Sequence, residues 1–331
     1  MPKVLHIGPC ETPGGMANVM RILAEYPPEG WQAELLSSHV VGSNWAKWRA
    51  YRKASRTLST MLGDPKQRPD VVHLHTAADW SWWRKRRFAK MAHKAGVPNI
   101  VHIHSGQFDT WLDTSPNRAA DFRNDIHSCT SKVVVLSISW QNKLFELIGE
   151  TMVIHNPLDP NFEIELNAIR DPDKILFLGR NDPIKGGEFA QTLVGELRQQ
   201  NTSLFLAMSG IETSEHSWVQ PLGWMPEEAK RKHLSTAAVL LVPSKFEGQP
   251  MVVLEALALG TPVLLSDQIH SFPDEIPRAQ FENMEDWKTS LSDIWSSSKP
   301  LANELSLQEY SITSVQRRWK NYYDSLLSKT G

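Results

Sequence analysis

Short apolar runs alternate with helical patterns along nearly the whole chain, which is typical of parallel sheets joined by crossover helices. In the first half, the predicted strands are Lys3–Ile7, Val71–His75, Asn99–His104, Lys132–Ser137 and Thr151–Ile154. In the second half, they are Lys174–Leu178, Ser203–Ser209, Val239–Val242 and Pro262–Ser266. The predicted helices include Gly15–Tyr26, Met225–Thr236 and Met251–Leu259. The pattern therefore predicts an α/β protein built on parallel sheets.

The two series of strands are separated at Asn156–Pro160, where two prolines interrupt any helix or central strand. We predict two doubly wound domains, residues 1–155 and 156–310, that face each other across a cleft. A final helical stretch, residues 311–331, could pack on either domain, and crossing back to the first domain is one of the two alternatives. In open parallel sheets ligands bind beyond the carboxyl ends of the strands, so the chemistry is expected in the cleft.

Charge and cysteine content restrict the class of partner and the compartment. The net charge is only -2, which gives no bulk attraction to nucleic acid. Residues 1–150 nevertheless carry 19 Lys and Arg against 13 Asp and Glu, and the remainder carries 16 against 24. The two cysteines suit a reducing compartment, and the first residues indicate a strand, not a signal peptide. With no apolar run long enough to span a bilayer, we expect a cytoplasmic protein that touches a membrane face at most.

The segment after strand 174–178 carries two cations on a glycine-containing loop. Arg180 and Lys185 lie within the sequence GRNDPIKGG, directly beyond the carboxyl end of that strand. Two cations and flexible backbone amides suit a diphosphate. A solvated charged loop is the plainer alternative.

The segment PSKFEGQPMVVLEAL follows strand 239–242 and places two carboxylates around a helix start. Pro250 suits the first turn of a helix. Glu247 precedes that helix and Glu255 lies inside its apolar part, where either carboxylate suits a pair of sugar hydroxyls. The plainer alternative is a capping Glu247 and a salt-bridged Glu255.

With these motifs the chain resembles the retaining glycosyltransferases of the GT-B fold, which has two Rossmann-like domains, and in particular their family 4. That family has a glutamate pair separated by seven residues, as Glu247 and Glu255 are, and a Gly-Arg…Lys-Gly loop, matched by Arg180 and Lys185. Residues 222–228 (LGWMPEE) resemble its base-binding loop. Residues 154–159 (IHNPLD) resemble its interdomain segment, with Pro157 in place of the usual glycine.

The resemblance implies a metal-independent transfer in which the leaving diphosphate accepts the acceptor's proton, from a uridine or guanosine diphosphate sugar and without a cofactor. It implies that Arg180 and Lys185 grip the diphosphate, Glu255 the ribose and Glu247 a hydroxyl of the donor sugar. The other donor-binding residues that it implies are Gly14, Gly15, Met225, Gly248, Gln249, Pro250, Met251 and Val252.

Four histidines occur at two strand ends, in His73-Leu74-His75 and His102-Ile103-His104. Residues two apart share one face of a strand, so four imidazoles could meet around a metal. Satisfied histidines on buried strands explain the pattern more simply, because no Asp or Cys completes a ligand set, and we predict no metal. The resemblance implies that His104 is an active-site residue near the donor sugar, although His102 shares the pattern.

Tryptophans and basic residues recur together in the first half. Residues 44–62 form a basic amphipathic helical pattern, and residues 79–87 read DWSWWRKRR. Trp80, Trp82, Trp83 and Arg84 are the predicted acceptor-binding residues, because tryptophans stack on sugar rings. The same chemistry suits an anionic membrane surface. We therefore expect a saccharide acceptor, lipid-diphosphate-linked, in polysaccharide biosynthesis; a packed helix with a solvated face is the alternative.

The sequence also contains one possible metal motif and is compatible with two other functions. A nucleotide-sugar epimerase would need acid and base groups over the sugar and would act without an acceptor. A catalytically silent homologue would bind sugar or protein only. Asp171-Pro172-Asp173 matches a metal-binding D-x-D, but it precedes a strand, at the wrong end of the sheet.

Overall fold

The computed structural model describes residues 1–162, 168–296 and 307–328. The chain divides into two compact units, one of residues 1–159 with the segment from Glu309 onward, the other from Pro160 to Gln308. The predicted division fell at 155/156, so the structure assigns four more residues to the first unit. In that segment the Leu158 N–H donates to the Tyr310 carbonyl (2.8 Å), which joins the two parts of the first unit.

The first unit contains one parallel sheet in the order β2-β1-β3-β4-β5-β6. Its strands are β1 (Lys3–Gly8), β2 (Gln32–Ser37), β3 (Val71–Thr76), β4 (Asn99–Ile103), β5 (Lys132–Val135) and β6 (Met152–Val153). Its helices are α1 (Gly15–Glu25), α2 (Asn44–Gly63), α3 (Trp80–Lys94), α4 (Phe108–Asp113), α5 (Arg118–Ser128) and α6 (Ile138–Ile148). The strand order reverses between β1 and β3.

The second unit repeats this architecture, with the order β12-β11-β10-β7-β8-β9. Its strands are β7 (Asp171–Phe177), β8 (Phe205–Ser209), β9 (Val219–Gly223), β10 (Ala237–Val242), β11 (Val263–Ser266) and β12 (Arg278–Ala279). Its helices are α7 (Gly187–Leu197), α8 (Glu227–Ser235), α9 (Met251–Ala258) and α10 (Met284–Ser296). Here the order reverses between β7 and β10. Two Rossmann-like parallel-sheet units are therefore confirmed.

Burial explains which strands the sequence pattern found. The central strands β3 and β4 are buried at every residue, as expected of parallel strands covered on both faces. The strands β2, β9 and β12, by contrast, were missed by the pattern. All three are edge strands, and β2 in particular carries no continuous apolar run because it is half-exposed.

The last helix, α11 (Ile312–Leu327), packs on the first unit. Trp319 and Tyr323 are almost wholly buried there, and the Tyr323 ring lies 4.9 Å from the Trp31 ring. The Trp31 indole N–H also donates to the Asp324 carboxylate (3.0 Å). Among the described helices, none is both long and apolar enough to cross a bilayer.

Candidate functional site

The loop after β7 holds its lysine in a defined turn. Residues Pro183–Lys185 form one turn of 3-10 helix, capped by the Asp182 carboxylate, which accepts from the Ile184 N–H (3.2 Å). Gly186 follows with φ 75°, a left-handed conformation that glycine adopts most easily. A Cβ atom at Gly186 would lie 2.4 Å from the Pro243 carbonyl oxygen, so only glycine fits this contact.

Lys185 and Glu247 meet where the strand order reverses. Their side chains form an ion pair, with Nζ 2.6 Å from Oε1, and the Ser244 hydroxyl donates to the same oxygen (3.0 Å). The Lys245 N–H donates to the Ile184 carbonyl (2.9 Å), so the loops after β7 and β10 are joined by their backbones as well. Both side chains are mostly buried, and such a switch point is where open α/β sheets bind ligands.

Glu255 is buried in α9 and pairs with a lysine that the sequence analysis did not single out. Lys230 of α8 places Nζ 2.9 Å from both Glu255 carboxylate oxygens, and it also contacts the exposed Glu227 (2.5 Å). Although burial alone would lower the pKa of Lys230, the two carboxylates raise it above its usual value. The salt-bridged alternative for Glu255 is thus present in the structure. Sequence gave little signal for Lys230, because a Glu–Lys pair three apart is common on surface helices.

Arg180 is the most exposed of the predicted catalytic side chains. Its side chain is 65% exposed, and its guanidinium lies 3.9 Å from the Asp182 carboxylate. An arginine so exposed in this loop can reorient toward a ligand at little cost.

The helix α9 begins at Met251, as predicted. Pro250 is its N-cap and not a residue of the first turn, and the N–H groups of Met251 and Val252 point out of the helix start. Gly248 and Gln249 precede the cap, and the buried Gln249 amide donates to the Ser271 carbonyl (3.4 Å).

The helix α8 begins at Glu227, not at Met225 as predicted. Pro226 caps it, and a residue that precedes proline is disfavoured in helical conformation, which keeps Met225 in the loop.

Two further motifs from the sequence lie at the start of an element, one at α1 and the other at β7. Gly14 caps α1 with φ 122°, a conformation that side-chain-bearing residues rarely adopt, and Gly15 is the first residue of that helix. Asp171 and Asp173 lie at the amino-terminal end of β7, whereas the Lys185 loop leaves from its carboxyl end.

The structure brings together five buried or mostly buried histidines, one more than the sequence analysis considered. His6 of β1 joins the two pairs from β3 and β4. One chain of ring nitrogens runs His6–His75–His104, with separations of 2.9 Å and 2.9 Å. The other runs from the Tyr323 hydroxyl through His73 to His102, at 2.8 Å and 3.1 Å.

Each middle imidazole donates at one nitrogen and accepts at the other, so the tautomers along a chain are linked. Burial lowers the pKa of His6 to about 3, and lowers the pKa of the other four as well. The network is therefore neutral near pH 7. Ring nitrogens of His6, His73 and His75 lie within 4.8 Å of one another, as do those of His75, His102 and His104. They could bind a metal only by giving up hydrogen bonds within the network.

His102 and His104 differ in their access to solvent. His102 is wholly buried against Trp319, whose ring lies 5.3 Å away, whereas His104 follows the last residue of β4 and is partly exposed. His104 is the one placed to meet a ligand.

Three of the four predicted acceptor residues, Trp80, Trp82 and Trp83, line a common cavity of about 330 Å³. Trp82 is 5% exposed, and its ring lies 4.6 Å from the ring of Phe122, which lines the same cavity. Trp82 lies on the inner face of α3, and the spacing of aromatic residues alone could not distinguish the two faces. Trp80 and Trp83 are 67% and 52% exposed, and Arg84 is partly buried.

A groove of about 780 Å³ runs between α2 and α3. Its lining includes aromatic and cationic side chains: Trp48, Tyr51, Arg52, Arg56, Trp83, Arg87 and Lys94. Trp45 stacks on Trp48 beside it (4.9 Å), and the Arg52 guanidinium lies 5.4 Å from the Trp48 ring.

Comparison with known proteins covers both units. Residues 14–162 match the family model Glycosyltransferase Family 4, and residues 172–284 match Glycosyl transferases group 1. An uncharacterized glycosyltransferase of Methanocaldococcus jannaschii is 26% identical over 262 residues, which are 69% of this chain and 64% of that protein. A glycogen synthase of Mycobacterium tuberculosis is 25% identical over 259 residues, 67% of this chain and 58% of that protein. The chain thus spans less than two thirds of the length of these relatives.

Among solved structures, Anabaena HepE in complex with UDP and glucose superimposes with a TM-score of 0.72 at 14% identity. The match covers 98% of this chain and all of that one, and it shows a common fold. The chain belongs to the family 4-like glycosyltransferases with the GT-B fold.

Proposed function

We propose that the protein transfers a sugar, with retention of configuration and without a metal or cofactor, from a uridine or guanosine diphosphate sugar to a saccharide acceptor. The observation that carries this proposal is the Lys185–Glu247 ion pair, at the switch point of the second sheet and close to the start of α9 in the chain. It unites a phosphate-binding cation with a hydroxyl-binding carboxylate. The glycogen synthase relative and the UDP complex of HepE support a saccharide acceptor and a nucleotide donor.

In this proposal, Lys185 and Arg180 neutralise the departing diphosphate together with the first N–H groups of α9. Glu247 holds a hydroxyl of the donor sugar, and Glu255 the ribose. The bond from the sugar's anomeric carbon to the phosphate oxygen breaks as the acceptor oxygen bonds to that carbon, and the acceptor's proton passes to the phosphate. Each charged hydrogen bond contributes about 1.5–3 kcal/mol, roughly ten- to a hundredfold in rate.

His104 is the proposed contact to the donor sugar from the first unit. It is partly exposed, and its neutral ring can donate or accept one hydrogen bond depending on the tautomer that His75 imposes. A neutral imidazole suits an uncharged hydroxyl better than it suits the diphosphate.

The test is thermal stabilisation by a panel of nucleotide diphosphates and their sugars, with and without chelator. Ligands that bind the native state raise the melting temperature by mass action. We expect one donor to give a chelator-insensitive shift that Lys185→Ala removes. Stabilisation by no donor, or an undiminished shift in Lys185→Ala, would contradict the assignment. Turnover of the donor without any acceptor would indicate an epimerase.

We further propose that the acceptor is lipid-linked and reached at the cytoplasmic face of an anionic membrane, with Trp80 and Trp83 beside the acceptor. Support comes from the exposed tryptophans of α2 and α3 and the basic groove between these helices. Tryptophan with Arg and Lys suits the headgroup layer.

Flotation with vesicles of anionic and of neutral lipid at low salt tests this part. We expect binding to the anionic vesicles alone, and its loss in the double variant Trp48→Ala/Trp83→Ala. Trp295→Ala is the matched control, since Trp295 is 40% exposed on α10, in the other unit. Equal flotation of the double variant and the control would refute the membrane assignment.

A further inference from the structure

Within the described residues, a group of basic side chains in the first unit has no carboxylate partner. It consists of Lys85 and Arg84 of α3, Lys47 of α2 and the neutral imidazole of His39 after β2, and we call it the cationic cluster. Lys85 is 1% exposed, and its ammonium group makes one hydrogen bond, to the Ser38 hydroxyl (2.9 Å). Within the described ranges, no carboxylate forms an ion pair with any of the four.

The Lys85–Ser38 contact brings α3 to the segment after β2, where His39 follows Ser38 as Arg84 precedes Lys85 in α3. Burial, followed by the charges of Arg84, Lys85 and Lys47 in that order, lowers the pKa of His39 to about 4. Burial, followed by the Arg84 charge, lowers the pKa of Lys85 to about 7, and only the Cys10 thiol opposes this shift.

Two polar atoms of the cluster are also unsatisfied. The Arg84 Nε and the His39 Nδ1 are buried, and neither has a hydrogen-bond partner among the residues that the structure describes. Groups of this kind are rare in folded proteins and call for an explanation, such as a bound ion.

The position of the cluster is that of a ligand site. Ser38 follows the last residue of β2, and its hydroxyl donates to the carbonyl of Gly8, the last residue of β1 (3.3 Å). The cluster thus stands at the carboxyl ends of two parallel strands, the edge at which such sheets bind ligands.

A buried ammonium group without a counter-ion is strongly unfavourable, because neither Ser38 nor the surrounding protein replaces its hydration. An apolar side chain of similar length, such as methionine, would fill the same space without that cost. A phosphate would supply the two things that the cluster lacks. These are negative charge and several acceptor oxygens for the Arg84, Lys85 and His39 donors.

We propose that the cationic cluster binds a phosphate group carried by the acceptor substrate. This rests on the proposed transferase function and narrows the acceptor to a phosphorylated saccharide or a lipid-phosphate-linked one. Lys85 provides the buried charge and Arg84 the directional donors, while His39 and Lys47 border the phosphate from the solvent side.

The experiment compares two methionine variants, Lys85→Met in the first unit and Lys185→Met in the second. Inorganic phosphate and UDP are titrated separately, and the melting temperature and calorimetric affinity are recorded. We expect Lys85→Met to raise the melting temperature of the ligand-free protein, since it removes a buried unpaired charge. Lys85→Met should weaken phosphate binding at least tenfold and leave UDP binding unchanged. Lys185→Met should weaken UDP binding at least tenfold and leave phosphate binding at the cluster unchanged.

Arg84→Gln provides a second variant, because Arg84 is partly exposed and its replacement disturbs packing less. It should weaken phosphate binding about tenfold without a fall in melting temperature. Phosphate binding to Lys85→Met as tight as to the unmodified protein, or a lower melting temperature of that variant, would overturn the proposal. If neither the unmodified protein nor any variant binds UDP, while phosphate binding still depends on Lys85, then the proposed donor site is wrong and the phosphate site stands.

The source of the phosphate is distinguished with three probes, namely inorganic phosphate, a hexose 1-phosphate and vesicles that contain phosphatidylglycerol. An acceptor phosphate predicts that the hexose 1-phosphate binds more tightly than inorganic phosphate, and that Lys85→Met removes the difference. Lys85-dependent binding of the vesicles, with neither soluble probe bound, would assign the cluster to the membrane surface and refute the acceptor assignment.

Discussion

Lys185 and Glu247 form the ion pair that joins the loops after β7 and β10 in the proposed donor site. A mostly buried ion pair is costly to desolvate, so it contributes less to stability than its distance of 2.6 Å suggests. Its value lies in orientation: Glu247 and Ser244 fix each other, and the lysine is held at the switch point.

We expect Lys185→Ala to weaken binding of the preferred nucleotide sugar ten- to a hundredfold, because one charged hydrogen bond of about 1.5–3 kcal/mol is lost. Isothermal titration calorimetry measures this loss. Lys245→Ala is the matched control, since Lys245 is exposed in the neighbouring loop and directs its ammonium group to the Phe246 ring (5.4 Å). Equal losses in both variants would indicate a general electrostatic effect and not a specific contact.

The two carboxylates that Lys230 contacts should differ in effect. Glu255 is 5% exposed at its side chain and Glu227 is 77% exposed. Glu255→Gln leaves a buried lysine without its main counter-ion, and such a loss costs about 3–5 kcal/mol of unfolding free energy. Glu227→Gln should cost at most about 1 kcal/mol, as exposed pairs do.

Chemical denaturation of the two variants measures this difference, and UDP titration adds the functional test. If Glu255 binds the ribose, then the folded Glu255→Gln protein should also bind UDP more weakly. An unchanged UDP affinity would leave the carboxylate with a structural role alone.

At the scale of elements, the loop from β7 into α7 depends on a single backbone conformation. Gly186→Ala places a Cβ atom 2.4 Å from the Pro243 carbonyl and forces alanine into the left-handed region. The backbone term alone costs about 1–2 kcal/mol. We expect loss of stability together with weaker donor binding, because the two loops must separate.

Gly195→Ala is the control in the same region. Gly195 lies inside α7, and its added Cβ would meet the Trp218 ring at 3.4 Å, an ordinary contact distance. Alanine is favoured over glycine in a helix by up to about 1 kcal/mol, so this variant should be as stable as the parent or more so. Thermal melts and UDP titrations of both variants test this prediction. A Gly186→Ala protein as stable as the parent and with normal UDP affinity would contradict the proposed role of Gly186.

For the whole molecule, the histidine network links stability to pH. The native pKa of His6 is about 3, whereas an unfolded histidine has a pKa near 6.5. Between these values the unfolded chain binds the proton and the native protein does not. Stability is therefore lost as the pH falls from about 6.5 toward 3, by roughly 2 kcal/mol per such histidine at pH 5.

Differential scanning calorimetry from pH 7.5 to 5.0 should show a steep fall in the unfolding temperature of the first unit. His6→Phe should lower the number of protons taken up on unfolding, which sets the slope of stability against pH, by about one. His216→Gln should not change that number, because His216 lies outside the network in the second unit. A pH-independent unfolding temperature over this range would show that the network already titrates in the native protein.

The sequence predicted well those features that depend on local pattern. Central strands can be predicted from their continuous apolar runs. Lys185, Glu247 and Pro250 were identified because each follows such a strand at a short distance in the sequence. Edge strands such as β2 were not predicted, because a half-exposed strand needs no continuous apolar run. The Trp-rich segment did not reveal how far each ring is buried: Trp82 is 5% exposed, whereas Trp80 is 67% exposed.

What the sequence by itself determined is the series of parallel strands, the placement of motifs at their carboxyl ends and the family. Only the tertiary structure decided the pairings: Lys230 with Glu255, His6 with the histidines of β3, and Lys85 with a hydroxyl and no carboxylate among the described residues. Charge and hydrogen-bonding capacity can be read from residue type, but whether a group is satisfied depends on neighbours distant in the chain. Burial then sets the cost of each missing partner, and burial is a property of the folded chain alone.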